Sequence, residues 1–129
     1  MKFICFGWVD PAKVAAMSQD ACDAHINQCF DYDDLLRTDG HILAGQALQP
    51  ATTARSLRPR DGRLLVTDGP FAETKEFIGG ILILEARDID QAAELMSRHP
   101  GLQVCSIEIR PAMEMWPDSR PGLNALNLK

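Results

Sequence analysis

Apolar residues recur along this chain with two periods, and the switches between them mark its elements. Residues 2–8, KFICFGW, read as a first strand, ended by Val9-Asp10-Pro11. After a connection, Ser18 stands as an N-cap with acidic residues close behind it, opening a helix expected from about Ser18 to Thr38. Helical spacing places Met17, Ala21, Ala24, Gln28, Tyr32, Leu35 and Leu36 on one face, expected to cover a sheet. Ile26 and Phe30 fall on the opposite side, where a monomer would expose them to solvent, a loop, the tail or another subunit. Asp39-Gly40 stops the helix, with Gly40 suited to a left-handed position just past its end.

Strand-like runs dominate the next forty residues. Residues 41–48, HILAGQAL, predict a second strand, ended by Gln49-Pro50. Residues 52–58 and 63–67 predict a hairpin around Asp61-Gly62, a dipeptide suited to a tight type I′ turn. In residues 78–85, IGGILILE, successive positions are apolar, which predicts a strand buried on both faces. Helices in one small domain cover only one face of a sheet. The other face then calls for a second sheet, most simply from another copy of the chain.

Asp88 caps a second helix over about 89–98, with Ile89, Ala92, Ala93 and Met96 inward, and His99-Pro100-Gly101 ends it. Residues 102–110 predict the last strand. There Cys105, Ile107 and Ile109 should face the helices. Ser106, Glu108 and Arg110 should face the space between two sheets, where a Glu–Arg pair across a dimer is the simple reading. The order is β-α-β-hairpin-β-α-β: an α+β, ferredoxin-like βαββαβ sandwich with an inserted β-hairpin. Residues 1–112 form one domain. Residues 113–129 carry Pro117 and Pro121 without clear periodicity and predict a tail that is loose or ordered on a neighbouring subunit.

Composition narrows the class. At 129 residues, 46% hydrophobic and 24% charged, the chain is an ordinary globular domain. No apolar run approaches the ~18 residues of a membrane span, and the N-terminus reads as a strand rather than a signal peptide. The net charge of −5 disfavours nucleic acid. The one basic concentration is Arg55, Arg58, Arg60 and Arg63 about the hairpin turn, where a solvated tip is the plainer reading. None of the four cysteines forms a CxxC pair, and the histidines lack ligand spacing, so no metal site and no cofactor are expected. Cys22 and Cys29 lie about 10 Å apart by helical rise, too far for a disulfide, which leaves reduced thiols and a cytoplasmic setting.

Residues 68–76, DGPFAETKE, are the sharpest motif, and with it go GQALQP at 45–50, RDGRLLVTDGPFAETKE at 60–76, the GG-apolar strand at 79–84 and IEIRP at 107–111. Over roughly residues 1–112 the chain resembles the DGPF-motif group of the YCII-related family. The resemblance implies a ferredoxin-like protomer, two sheets packed into a dimeric α+β barrel, and a cleft near the first helix and the motif loop. It implies a homodimer or higher homo-oligomer with a small-molecule ligand, no nucleic acid and no membrane. YCII-like relatives carry a histidine on the first helix, matched here by His25, and pair it with an aspartate before a proline after the second helix. This chain has His99-Pro100 there. One branch of the wider family eliminates chloride from a chlorinated aromatic ring. Members are often encoded beside extracytoplasmic-function sigma factors, which implies a regulatory alternative.

The candidate chemistry follows from these placements. His25, at the edge of the first helix's inner face, is the best general base or acid; the plainer alternative is a core-edge histidine bonded to a carbonyl. Asp68 is its candidate partner, as an orienting group or acid. Tyr32, Gln46, Phe71, Glu73 and Lys75 are candidate ligand contacts, Lys75 toward an anionic group. Gly69-Pro70 fixes the bend that carries them, and a shaped rim loop is the alternative. Cys29, one turn after His25, is either a thiolate nucleophile or a small buried side chain. His41 and His99 are expected to be exposed, and Asp31, Asp33 and Asp34 to form a solvated face. The sequence supports a small-molecule enzyme of lyase or isomerase type working by proton transfer. The alternative is a non-catalytic ligand-binding or regulatory module acting through Ile26, Phe30 and the tail.

Overall fold

A computed structural model describes residues 1–113, so the tail beyond Met113 lies outside the described residues. In chain order the elements are β1 (Lys2–Val9), α1 (Pro11–Ala15), α2 (Gln19–Thr38), β2 (Ile42–Ala47), β3 (Arg55–Arg60), β4 (Arg63–Asp68), β5 (Phe77–Glu85), α3 (Ile89–Ser97) and β6 (Cys105–Pro111). Short 3₁₀ turns occupy Ala51–Thr53 and Pro100–Gln103. The four-stranded sheet has the order β2-β5-β1-β6, all pairs antiparallel, and β3-β4 forms a separate two-stranded sheet. That order, with α2 and α3 as crossovers, is the ferredoxin-like arrangement with an inserted hairpin.

The helix ends are where the capping residues put them. Ser18 Oγ accepts from the Ala21 N–H at 3.1 Å, and Asp88 Oδ1 from the Gln91 N–H at 2.8 Å. Past α2, Gly40 adopts φ +82, and the His41 and Gly40 N–H groups return to the carbonyls of Leu36 and Arg37. The connection after β1 is helical: Asp10 caps α1 through the Ala12 N–H, with Pro11 in its first turn. The expected start of the last strand also moves, because residues 100–103 turn before β6 begins.

One face of the sheet carries the core. Phe3 and Cys5 of β1, Ile42 of β2 and Leu84 of β5 meet Leu36 of α2 and Ala92 and Met96 of α3. Ile107 and Ile109 pack against this cluster, as the alternation in β6 predicts. The inner stripe of α2 is rotated from the expected one. Ala24, Gln28 and Leu35 are exposed, while His25, Cys29, Tyr32, Asp33 and Leu36 turn inward. On α3, Ile89 and Ala93 are exposed, and Leu95 joins Ala92 and Met96.

No helix among the described residues covers the other sheet face. Strand register aligns Gln46, Ile81, Phe6 and Glu108 in one row, and Ala44, Ile83, Ile4 and Arg110 in the next. Direct antiparallel partners share a face, so Ile4, Phe6, Ile81 and Ile83 form an apolar stripe, each only half-buried. No helix among the described residues is long and apolar enough to cross a membrane.

Leu84 is fully buried and Leu64 is 61% exposed on the hairpin. Leu84→Ala should therefore lower the unfolding free energy by about 2–5 kcal/mol. Leu64→Ala should change it by less than about 0.5 kcal/mol. Urea titration of both variants checks this, and similar losses would mean that the hairpin is packed as deeply as β5.

Candidate functional site

The inner stripe of α2 carries polar side chains into the layer between helix and sheet, where each needs a partner. At the α3 end, His99 Nε2 lies 2.8 Å from Asp33 Oδ1, and the side chains are only 10% and 19% exposed. The Gly101 N–H donates to His99 Nδ1 at 2.9 Å, so Nδ1 bears the lone pair and Nε2 the proton given to Asp33. A side chain at Gly101 would stand 2.8 Å from Nδ1, so the absence of a Cβ permits this approach. The Tyr32 ring meets His99 edge-on at 5.5 Å, and the Tyr32 hydroxyl donates to the Leu95 carbonyl. Burial raises the Tyr32 pKa further. These bonds clamp α2 to α3 and the turn after it.

The clamp corrects several expectations. His99 is buried and paired instead of exposed, and Asp33 leaves the solvated acidic face to hold it. His41 is half-buried, with Nδ1 donating to the Glu85 carbonyl at 2.9 Å. Tyr32 turns its hydroxyl to α3. With Nε2–H given to Asp33 and the Nδ1 lone pair engaged by the Gly101 N–H, His99 has no free lone pair for proton abstraction.

His25 differs. Its Nε2 faces Cys29 Sγ at 3.7 Å, and its Nδ1 is buried with no hydrogen-bond partner among the described residues. A buried polar atom left alone is uncommon and marks strain, a missing water or a ligand contact. Burial, helped by the Asp33 carboxylate and by Cys105, pushes the Cys29 thiol up to about 11. The sulfur therefore stays protonated at neutral pH and is no ready nucleophile.

On the open sheet face, Glu108 accepts from Trp8 Nε1–H at 3.1 Å and from Arg110 Nε–H at 2.9 Å. The Glu–Arg contact expected across a dimer is made within β6. Gln46 ends the same row on the exposed strand β2, its amide donating at 3.4 Å to the Ala47 carbonyl.

The motif residues lie apart from His25. Asp68 ends β4 with its side chain 89% exposed and pairs with Arg55 at 3.4 Å. The hydrogen bonds of His25 thus include none to Asp68 within the chain. Gly69 takes φ +92, giving the expected bend, and the buried Ser56 hydroxyl donates to its carbonyl at 2.7 Å. Phe71 is 66% exposed beneath Arg58, whose guanidinium stands 5.1 Å from the ring centre. Glu73 and Lys75 are exposed. Among the described residues no three His, Cys, Asp or Glu side chains converge on a metal position.

The model of the YCII-related domain matches residues 1–116. This chain belongs to the YCII-related family. An uncharacterized protein, R00369, of Rhizobium meliloti (strain 1021) is 36% identical over 79 residues, 58% of this chain and 62% of that protein. The aligned stretch thus spans less than two thirds of that relative. Among solved structures the YCII-related chain is similar to 5-chloro-2-hydroxyhydroquinone dehydrochlorinase (TftG) from Burkholderia phenoliruptrix AC1100, in complex with 2,5-dihydroxybenzoquinone. The TM-score is 0.54 over 88% of this chain and 94% of that one. At 16% identity this is a likeness of fold.

Sequence reasoning missed the His99–Asp33 pair and the Trp8–Glu108 contact. The signal for the first was a stripe drawn through His25, Cys29 and Asp33 at i, i+4, i+8 rather than through the more apolar Ala24 and Leu35. For the second, strict alternation in β1 puts Trp8 on the face of Phe6, whose partner is Glu108.

Two measurements follow from this geometry. Asp33→Ala and His99→Ala should each destabilise the fold by about 1–3 kcal/mol. The double variant should lose much less than their sum, and additive losses would deny the pair. At pH 8 iodoacetamide should alkylate Cys29 about a hundredfold more slowly than an ordinary thiol. Because the folded thiol is raised, its contribution to stability is intact below about pH 8.5 and fades as pH climbs toward 11. Rapid labelling of Cys29 in the native protein at pH 8 would contradict its burial.

Proposed function

We propose that this chain is a homodimeric small-molecule enzyme of the DGPF branch, working by proton transfer at His25. The orphaned Nδ1 of His25 carries the reading. A ligand oxygen would satisfy a nitrogen that has no partner among the described residues, and a proton arriving there leaves Nε2–H directed at the Cys29 sulfur. The sulfur suits either tautomer, being a weak donor and a weak acceptor.

The dimer rests on the apolar stripe of Ile4, Phe6, Ile81 and Ile83. A second copy is its simplest cover, since a two-fold axis sets the same stripe against itself. Gln46, Glu73 and Lys75 are assigned to the rim of the cleft that the second copy closes, with Lys75 toward an anionic group. Asp68, engaged by Arg55, becomes a rim carboxylate rather than the orienting partner of His25. The four free thiols suit a reducing, cytoplasmic setting. Small hydroxylated rings are the first ligand class to try, because the fold neighbour is described in complex with 2,5-dihydroxybenzoquinone. A non-catalytic module is the second reading, favoured by the exposure of Ile26 and Phe30 at 49% and 59%.

A thermal-shift screen of small metabolites, with 2,5-dihydroxybenzoquinone among them, tests this on wild type, His25→Ala and Ile83→Lys. The expected result is a ligand that raises the wild-type Tm by several degrees and neither variant's, with Ile83→Lys monomeric by sedimentation. A ligand that stabilises wild type and His25→Ala equally would remove His25 from the site. A monomeric wild type would remove the dimer.

A further inference from the structure

We infer that one face of the β3–β4 hairpin is a binding site for a small organic anion with an apolar body. Strand pairing sets Ser56, Arg58 and Arg60 on one face, opposite Thr67, Leu65 and Arg63. The other face carries Arg55 against Asp68, and beyond them Leu57, Pro59, Leu64 and Val66. The hairpin is thus cationic on one side and apolar on the other.

The cationic side lacks countercharge. Among the described residues Arg37, Arg55, Arg87, Arg98 and Arg110 each pair with a carboxylate, and Arg58, Arg60 and Arg63 do not. The unpaired guanidiniums therefore collect on one two-stranded surface of a chain whose net charge is −5. Arg60 and Arg63 are direct cross-strand partners, an arrangement that repels and weakens the turn. An anion between them would reverse the sign of that interaction, and guanidinium forks suit the planar oxygens of a carboxylate or phosphate.

The shape limits the ligand. A recess of about 480 Å³ is lined by Arg60, Asp61, Arg63, Leu64 and Leu65. A second, of about 230 Å³, lies among Ser56, Arg58, Leu65, Thr67 and Phe71. Leu65 lines both, and Leu64 of the other face also lines the first. Asp61, in the turn, is the one carboxylate in the lining. Arg58 stacked on Phe71 has its ring-facing side occupied and its donor edges free. The anionic head belongs at Arg60 and Arg63, and a flat apolar body over Leu65 toward Phe71. The volume suits a small molecule, and an acidic chain with one cationic hairpin face is a poor platform for a polynucleotide.

Isothermal titration with benzoate and phenyl phosphate, against benzyl alcohol, inorganic phosphate and a single-stranded oligothymidylate, tests the site. Both aromatic anions should bind saturably and benzyl alcohol should not. Arg60→Gln and Arg63→Gln should each weaken both by about tenfold, with Tm unchanged or raised. Phe71→Ala should weaken the aromatic anions several-fold and leave inorganic phosphate unaffected. His25→Ala should bind them as wild type does, which separates this site from the cleft. No saturable binding at millimolar concentration, or affinities unchanged in the Arg60→Gln/Arg63→Gln double variant, would overturn the inference. Tighter binding of the oligothymidylate than of phenyl phosphate would overturn its small-molecule part.

Discussion

A four-stranded sheet has two faces, and this chain supplies helices for one. Phe3, Cys5, Ile42 and Leu84 bury against α2 and α3, and apolar burial on that side holds the domain together. The same strands, because side chains alternate, must present Ile4, Phe6, Ile81 and Ile83 on the reverse. Replacing those four by polar residues would ease their contact with water. As they stand, the four make an apolar stripe that is only half-buried.

Polar groups in the helix–sheet layer divide into satisfied and unsatisfied ones. His99 is held at both nitrogens, by Asp33 and by the Gly101 N–H, and Tyr32 is held at its hydroxyl. Such groups rigidify the junction of α2 with α3 and have little left to offer a substrate. His25 lies two helical turns before Asp33 on the same stripe and is left with a soft sulfur contact and an empty Nδ1. The two histidines in one layer differ in this: both ring nitrogens of His99 are engaged, whereas Nδ1 of His25 is buried without a partner among the described residues. The carboxylate of the buried His–Asp pair comes from α2 and the histidine from the segment before Pro100.

The hairpin stands outside this economy of burial. Almost all of its side chains are exposed, Ser56 excepted, and its amphipathic division follows from strand alternation alone. Its charge is unbalanced on one side and its apolar residues are unpacked on the other. At its base the Ser56 hydroxyl donates to the Gly69 carbonyl, beside the Gly69-Pro70 bend.

Local chemistry determined most of the elements of this protein, α1 and the turn before β6 excepted. Ser18 and Asp88 open helices, Gly40 closes one, Asp61-Gly62 turns the hairpin, and the apolar run of β5 marks the central strand, because caps, left-handed glycines and period-two alternation act over a few residues. The motif residues also fixed the family and the rotation of β6, with Ile107 and Ile109 inward. Tertiary structure decided the rotation of α2 by a fraction of a turn, and with it which polar residues lie inside. Hydrophobicity favoured Ala24 and Leu35 as the inner stripe, but the helix turned His25, Cys29 and Asp33 inward, and of these Asp33 meets a hydrogen-bond partner distant in sequence, His99. Whether a buried polar residue is tolerated depends on partners that only the folded chain brings near, so the clamp at Asp33 and the open nitrogen of His25 could be read only in three dimensions.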